Sequence, residues 1–191
     1  MTKGRLEAFS DGVIAIIITI MVLELRPPEG TSVEDLLPLA PVLLSYLLSF
    51  AMLGTYWSNH HHLLQAAKSV DGRALWANLH LLFWLSLFPF GTAWMGERDF
   101  APIPVAAYGV LLLLAAAAYY ALARALIAVP GQPRTLADAI GRDVKGKISP
   151  LLFLGAIPIA LVAPVVSLAI YAGVVVLWLV PDRRIERAIG E

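Results

Sequence analysis

Long stretches without a charged side chain are the feature that most constrains how this chain folds. They cover residues 36–67, 74–96, 100–123 and 148–181. Crossing the hydrocarbon core of a bilayer takes roughly 20 apolar residues in a helix, because the core is about 30 Å thick and each residue adds about 1.5 Å. Only 15% of the residues are charged and 59% are hydrophobic, whereas about a quarter of the residues of a soluble protein are charged. The sequence therefore predicts an all-α integral membrane protein.

The last of these stretches is too long for one crossing. Its 34 residues would form a helix of about 51 Å, and Pro158 and Pro164 indicate where such a helix breaks. We therefore expect two short helices there. With one more helix at the start, residues 1–191 are predicted to form a single six-helix transmembrane domain, with helices at about 5–25, 38–67, 73–95, 102–128, 147–163 and 165–181.

The placement of the basic residues supports an even number of crossings. With six helices and a cytoplasmic N-terminus, 12 of the 14 Lys and Arg residues lie on the inner side, and only Arg26 and Arg98 lie outside. Inner loops of membrane proteins carry the excess of Lys and Arg. The N- and C-termini are therefore both predicted to be cytoplasmic, in a multi-pass protein.

Signatures of enzymes and of metal proteins are missing from the sequence. It has no cysteine, which removes thiolate metal sites and cysteine nucleophiles, and it has no P-loop, G-x-S-x-G or H-E-x-x-H pattern. Acidic and basic residues balance at 14 each, so the net charge gives no indication of a nucleic-acid partner. We expect no catalytic residue, no metal site and no cofactor.

The first helix begins with polar residues that a helix surrounded by lipid would not carry. Only 12 uncharged residues separate Asp11 from Glu24, and a charged side chain facing lipid costs about 3 kcal/mol. Protein or water is therefore expected around Asp11. On a helical wheel, Ser10 and Asp11 lie apart from one sector that holds Arg5, Phe9, Gly12, Ile16, Thr19, Ile20 and Leu23.

Two interpretations of this helix fit the pattern. In the first, the helix lines a narrow pathway, with an apolar constriction at Ile16, Ile20 and Leu23 and a polar anchor at its inner end. In the second, it is an interior helix of a bundle, in which Asp11 caps the helix or pairs with Arg5. The residue types alone leave both open.

Helix 2 carries three consecutive histidines in the segment TYWSNHHHLL. Successive side chains point about 100° apart around a helix, so the three cannot converge on one metal ion. Trp57 and His61 stand four residues apart and share a face, and His80 on helix 3 could meet a helix-2 histidine. The pattern suits side chains at the membrane interface, a hydrogen-bond network that holds Asp11, a proton relay, or a bis-histidine haem between helices 2 and 3.

The segment FPFGTAW, residues 88–94, combines aromatic side chains with a proline near the outer surface. We interpret it as an aromatic belt with a kink.

The start of the chain resembles the first helix of the transmembrane protein 175 family of potassium channels, in particular its bacterial members with a single six-helix repeat. The resemblance lies in Arg5, in Phe9-Ser10-Asp11, and in the isoleucine-rich helix with Thr19 that follows. The helix-2 segment YWSNHHHL is similar to the tryptophan and histidine signature of that family.

The resemblance implies a potassium-selective leak-type channel in the bacterial cell membrane, assembled as a homotetramer with helix 1 of each subunit lining a central pore. K⁺ is then the permeant ion, and the partners are further copies of the chain and the lipid bilayer. The implied constriction or gate comprises Ile16, Ile20 and Leu23, and Thr19 contributes to selectivity. The implied structural network comprises Arg5, Phe9, Ser10, Asp11, Trp57, His61 and His80.

Three questions stay open from the sequence. The helix-2 partner of helix 1 is His60, His61 or His62. Animal homologues are reported to conduct protons, so a proton-conducting channel is the first alternative function. A membrane haem or redox protein that uses the histidines of helices 2 and 3 is the second.

Overall fold

The computed structural model describes residues 2–133 and 144–179, and in these ranges the regular structure is entirely helical, as predicted. The α-helices are α1 (Lys3–Val22), α2 (Ala40–Ala66), α3 (Gly72–Ser86), α4 (Phe88–Glu97), α5 (Pro102–Ile127), α6 (Val144–Ala160) and α7 (Pro164–Leu179), and a 3₁₀ helix, Glu34–Leu39, precedes α2. Several basic residues that support the predicted orientation lie outside the described residues, namely Arg134, Arg142, Arg183, Arg184 and Arg187.

The helix predicted at 73–95 is interrupted in its second half. Pro89 has no N–H with which to bond the carbonyl oxygen of Leu85, so the regular helix cannot continue through this point. The N–H of Leu87 instead bonds the carbonyl oxygen of Trp84 at 3.2 Å, and α4 begins at the next residue. The break lies where the FPFGTAW segment predicts a kink.

The two short helices expected in the last apolar stretch are also present. α6 ends at Ala160 and α7 begins at Pro164, so the connection takes only three residues. Pro158 lies inside α6 and Pro164 at the first position of α7, where a missing N–H costs nothing.

Three helical stretches of the described chain are long and apolar enough to cross a membrane: Glu34–Ala66, Gly72–Glu97 and Pro102–Ile127. α7 is apolar but shorter, and α1 carries four charged residues within its 20. Length and composition therefore support a membrane protein with three candidate spans, while the six crossings stay a prediction.

α1 packs along one side of the bundle, against α2, α3 and α4, whereas α5 contacts α3, α4, α6 and α7. The buried side of α1 comprises Leu6, Ser10, Ile14, Ile17 and Met21. These positions are three or four residues apart, so they form one stripe of the helix. The opposite side of α1 is left without cover in the isolated subunit.

Candidate functional site

The uncovered side of α1 is the sector that the helical wheel predicts. Its seven members, Arg5, Phe9, Gly12, Ile16, Thr19, Ile20 and Leu23, are all exposed. The exposed fraction reaches 58% for Ile16 and 75% for Leu23, although both side chains are large and apolar. We call this surface the open face of α1.

Thr19 is the one hydroxyl-bearing residue of the open face. Its Oγ1 donates to the carbonyl oxygen of Ile16 at 2.9 Å, which uses the single hydroxyl hydrogen. The lone pairs of the same oxygen are therefore directed away from the helix backbone. A hydroxyl in this state can act as an acceptor toward water or toward a cation.

The opposite side of α1 is tied to α2 and α3 by a buried chain of three polar side chains. Asn78 Nδ2 donates to Ser10 Oγ at 2.9 Å, and Asn78 Oδ1 lies 2.7 Å from His60 Nε2. Ser10 Oγ in turn donates to the carbonyl oxygen of Leu6 at 2.8 Å. All three side chains have no exposed surface. We call these residues the buried triad.

Hydrogen counting determines the tautomer of the histidine in the buried triad. The amide oxygen of Asn78 only accepts, so His60 must carry its hydrogen on Nε2. His60 Nδ1 is then a bare lone pair, and this buried atom has no hydrogen-bond partner among the described residues. The triad is thus fully paired along the line that joins α1, α3 and α2.

A second set of contacts joins α1 to α2 nearer the surface. Trp57 Nε1 donates to Asp11 Oδ1 at 3.0 Å, and the Trp57 ring stacks on His61 with centroids 6.0 Å apart. His61 Nδ1 lies 3.3 Å from Glu7 Oε1. Asp11 and Glu7 are four residues apart, so both carboxylates point to the same strip of α2.

The first turn of α1 also reaches the end of α2. Lys3 Nζ donates to the carbonyl oxygens of Gln65 and Ala67 at 3.3 and 3.0 Å. The last carbonyls of a helix have no partner within the helix and carry the negative end of its dipole, so an ammonium group is favourable there. Every turn of α1 up to Asp11 therefore has a polar contact to its neighbours.

Several of the predicted network residues are brought together by these contacts, and others are not. Ser10, Asp11, Trp57 and His61 take part, whereas Arg5 and Phe9 are exposed on the open face. Asp11 receives its hydrogen bond from Trp57 and does not form the ion pair with Arg5 that one interpretation predicts.

The expectation that His80 meets a helix-2 histidine differs from the contacts observed. His80 Nε2 accepts from Trp84 Nε1 at 2.8 Å, on an exposed side of α3. Two residues along a helix turn the side chain by about 200°, so Asn78 points inward where His80 points outward. Asn78 therefore makes the contact to α2 that was expected of His80.

Sequence reasoning missed Glu7 and Asn78 and left the choice of histidine open. Asn78 is a hydrogen-bonding amide in an otherwise apolar stretch, and such residues in membrane helices are commonly buried against a polar partner. Glu7 precedes Asp11 by one turn. The sequence shows both polar residues, but it does not indicate which residue of another helix each of them contacts.

These contacts hold α1 in place against α2 and α3. No group of three or more His, Asp or Glu side chains suited to a metal ion occurs among residues 2–133 and 144–179. The carboxylates near α1 are engaged by Trp57 and His61. The open face presents Arg5 at its start and, beyond it, an apolar surface with the Thr19 hydroxyl.

Comparison with solved structures identifies the arrangement. The structure matches the crystal structure of a lysosomal potassium-selective channel TMEM175 homologue from Chamaesiphon minutus, with a TM-score of 0.81 and 30% sequence identity, over 93% of this chain and 96% of that one. The chain belongs to the TMEM175 family. The family model described as "Endosomal/lysosomal potassium channel TMEM175" also matches residues 5–89, which contain the open face and the buried triad.

Two further relatives extend the comparison. A protein named "Potassium channel" from a Chryseobacterium species is 50% identical over 191 residues and is matched over its whole length, as is this chain. The human "Endosomal/lysosomal proton channel TMEM175" is 35% identical over 96 residues, which is 44% of this chain and 19% of the human protein. The TMEM175 family is one of ion channels, a kind of function that is transport and not catalysis.

Proposed function

We propose that the chain is one subunit of a potassium-selective channel and that the open face of α1 lines the ion pathway. The observation that carries this proposal is that a member of the TMEM175 family leaves the Ile16, Thr19, Ile20 and Leu23 side of its first helix uncovered. Relatives that match the chain over all or most of its length are named potassium channels.

A single subunit has one open face, and one helix face cannot enclose a pore. Closed rings of identical subunits are the common solution for assemblies of this kind. We infer a homotetramer, in which four copies of α1 place rings of Ile16, Thr19, Ile20 and Leu23 around a central axis. The polar residues at the start of α1 support this inference, because lipid would not accept them.

The apolar rings act as a gate in this proposal. Isoleucine and leucine have no group that can replace the water around an ion, so a narrow ring of such side chains excludes water and ions until it widens. The Thr19 hydroxyls are the polar groups nearest to the Ile16 and Ile20 rings. Selectivity then arises from the pore radius, the Thr19 oxygens and ordered water.

We also propose six crossings with cytoplasmic termini in the cell membrane of a bacterium. The separation of 12 inner from two outer basic residues supports this topology. Under it, the buried triad lies in the cytoplasmic half of the membrane and Leu23 lies at the outer end of the pore.

Proton conduction is the second candidate, because the human relative is named a proton channel. In that case the pathway would use titratable groups close to the open face, such as Asp11 and Glu7. The haem alternative has no observation in its favour, since His61 lies against Glu7 and His80 against Trp84.

The test is ion flux into liposomes that contain the purified protein. Potassium gradients should drive a flux that sodium gradients of the same size do not, and a pH-sensitive dye inside the vesicles should report no proton uptake in the absence of potassium. Equal flux of the two alkali cations would contradict potassium selectivity. A pH-driven flux that survives the removal of potassium would favour the proton channel.

A further inference from the structure

The C-terminal half of α1 meets a group of buried hydroxyls that the proposed function does not use. Ser49 on α2, Thr92 on α4 and Tyr108 on α5 are 0%, 3% and 0% exposed. We call them the hydroxyl cluster. It brings three helices together at one point, and α1 passes directly beside it.

The contacts in the hydroxyl cluster are short and converge on Thr92. Thr92 Oγ1 lies 2.6 Å from Ser49 Oγ and 2.7 Å from the carbonyl oxygen of Phe88, and Ser49 Oγ lies 2.8 Å from Tyr108 OH. A threonine hydroxyl has one hydrogen, and a carbonyl oxygen has none to give. When Thr92 bonds Phe88, Ser49 must therefore supply the hydrogen between the two hydroxyls, and Tyr108 the next.

The same Thr92 oxygen is the polar contact between the cluster and α1. Thr92 Oγ1 also lies 3.7 Å from Met21 Sδ, and its one hydrogen bonds this thioether in the arrangement in which it does not bond the Phe88 carbonyl oxygen. Met21 is the last buried residue of α1 and is 1% exposed. Ile20 and Leu23, which are close to Met21 in the sequence, belong to the open face. A shift of the Met21 side chain that rotates this end of α1 would therefore also change the direction of the Ile20 and Leu23 side chains.

Thr92 is itself held firmly, because two glycines let α4 approach its neighbours closely. A Cβ at Gly91 would lie 2.8 Å from Leu111 Cδ1 and 3.1 Å from Tyr108 Cδ2, and a Cβ at Gly96 would lie 2.8 Å from the Cα of Val42. The added Cβ would meet the backbone of Val42 at Gly96, and at Gly91 it would require the Leu111 and Tyr108 side chains to move. α4 therefore packs closely against α2 and α5, and Thr92 is held beside Met21.

We propose that Thr92, supported by Ser49, is a positioning residue that sets the rotation of the outer end of α1 and thereby the direction of Ile20 and Leu23 in the pore. This inference rests on the proposed channel function. The N-terminal half of α1 has five polar side-chain contacts to α2, α3 and the residue that follows α2. Loss of the Thr92 contact should therefore leave α1 attached while its outer end shifts.

The first measurement is the ratio of potassium to sodium flux in liposomes for Thr92→Val, which keeps the shape of the side chain and removes the hydroxyl. We expect the flux ratio to change about threefold. A change of this size corresponds to the loss of one weak hydrogen bond that favours one rotation of α1 over another. Thr92→Ser should return it to the wild-type value, and Ser49→Ala should move it in the same direction by less. A ratio that stays at the wild-type value in Thr92→Val would overturn the proposal.

The matched control is Ser167→Ala. Ser167 is equally buried, but within the described part of the chain its hydroxyl bonds the carbonyl oxygen of Ala156 alone, between α6 and α7 and away from α1. This variant should lose a similar amount of thermal stability without any change in the flux ratio. If Ser167→Ala changed the flux ratio as much as Thr92→Val, a general loss of stability would be sufficient to explain the effect, and the proposed role of Thr92 would be overturned.

A second measurement does not depend on conduction. The chain has no cysteine, so Ile20→Cys and Val22→Cys each give a single reactive thiol, on two different sides of α1. In the presence of Thr92→Val, the ratio of the two labelling rates should change about threefold, whereas Ser167→Ala should leave it unchanged. An unchanged ratio would overturn the positioning role even if potassium flux were normal. Absence of flux in the parent protein together with a changed labelling ratio would reject the channel function and keep the role of Thr92.

Discussion

The two sides of α1 are similar in apolar character and opposite in what they touch. The buried side places Leu6, Ile14 and Met21 against α2, α3 and α4, whereas Ile16, Ile20 and Leu23 on the open face are 58%, 44% and 75% exposed. Hydrophobicity alone therefore does not tell the two sides apart. The two sides differ in the polar residue that each carries among its apolar side chains, which is Ser10 on the buried side and Thr19 on the open face.

The subunit holds one side of α1 by hydrogen bonds in the first half of the helix and by the packing of Met21 near its end. In the channel that we propose, the other side is left free for identical helices from other subunits. Changes to the buried side of α1 should consequently alter stability and assembly, whereas changes to the open face should alter permeation. The following predictions test that separation in the order of their expected effect on stability.

The largest effect is expected for Asn78→Ala, which removes the central member of the buried triad. Ser10 Oγ and His60 Nε2, which are both fully buried, would lose their partner, at a cost of about 3 kcal/mol in the free energy of unfolding. Thermal unfolding in detergent measures the change. Asn59→Ala is the matched control, because Asn59 Nδ2 bonds only the carbonyl oxygen of Thr55 on its own helix. Equal losses in the two variants would contradict the special position of Asn78.

An intermediate effect is expected for Asp11→Ala, since the hydrogen bond from Trp57 involves a carboxylate. We expect a loss of about 1.5 kcal/mol in stability and a lower yield of tetramer, with little change in selectivity. Arg5→Ala should likewise reduce tetramer yield more than it changes selectivity, because Arg5 is exposed on the open face, which faces other subunits in the proposed tetramer. Size-exclusion chromatography and liposome flux measure the two quantities, and normal assembly with altered permeation would reverse the assignment.

A small effect is expected for Glu7→Gln. The contact between Glu7 and His61 is partly exposed, with 22% and 34% of the side-chain surfaces accessible, and such pairs contribute about 0.5 kcal/mol. The variant should assemble normally and melt within a few degrees of wild type. A loss as large as that of Asn78→Ala would show that the surface contact, and not the buried triad, is the principal anchor.

The smallest effect on stability, with a clear effect on flux, is expected for Ile16→Asn. Ile16 is 58% exposed, so the substitution removes few contacts within the subunit and the free energy of unfolding should change by less than about 0.5 kcal/mol. The potassium flux should rise and gating should weaken, because an amide attracts water into the ring. Flux equal to that of wild type would remove Ile16 from the gate.

Much of this architecture was predictable from periodicity and from prolines. The uncharged stretches predict the helices, Pro164 predicts the start of α7, and spacings of three and four residues identify the open face before any contact is known. The shared side of Trp57 and His61 followed from their separation of four. These features depend on one helix at a time, and local geometry is sufficient for them.

The partners across helices were not predictable in the same way. The triad of Ser10, Asn78 and His60 requires the rotation and the height of three helices to be known together, and a rotation of α3 by two residues would exchange Asn78 for His80. The role of Thr92 depends on the break before Phe88 and on the close approach at Gly91. Sequence positions far apart in the chain carry no direct record of such contacts.

The measurement that tests the central claim most directly is block of potassium flux by a thiol reagent at a single introduced cysteine. Because the native chain has no cysteine, Ile16→Cys and Val166→Cys can be compared without background. Both positions are exposed in the subunit, at 58% and 50%, but Val166 lies on α7, away from the open face. We predict that a charged thiol reagent abolishes potassium flux through Ile16→Cys liposomes and leaves Val166→Cys liposomes unaffected. Block at Val166 with continued flux at a fully labelled Ile16→Cys would contradict the assignment of the open face as the ion pathway.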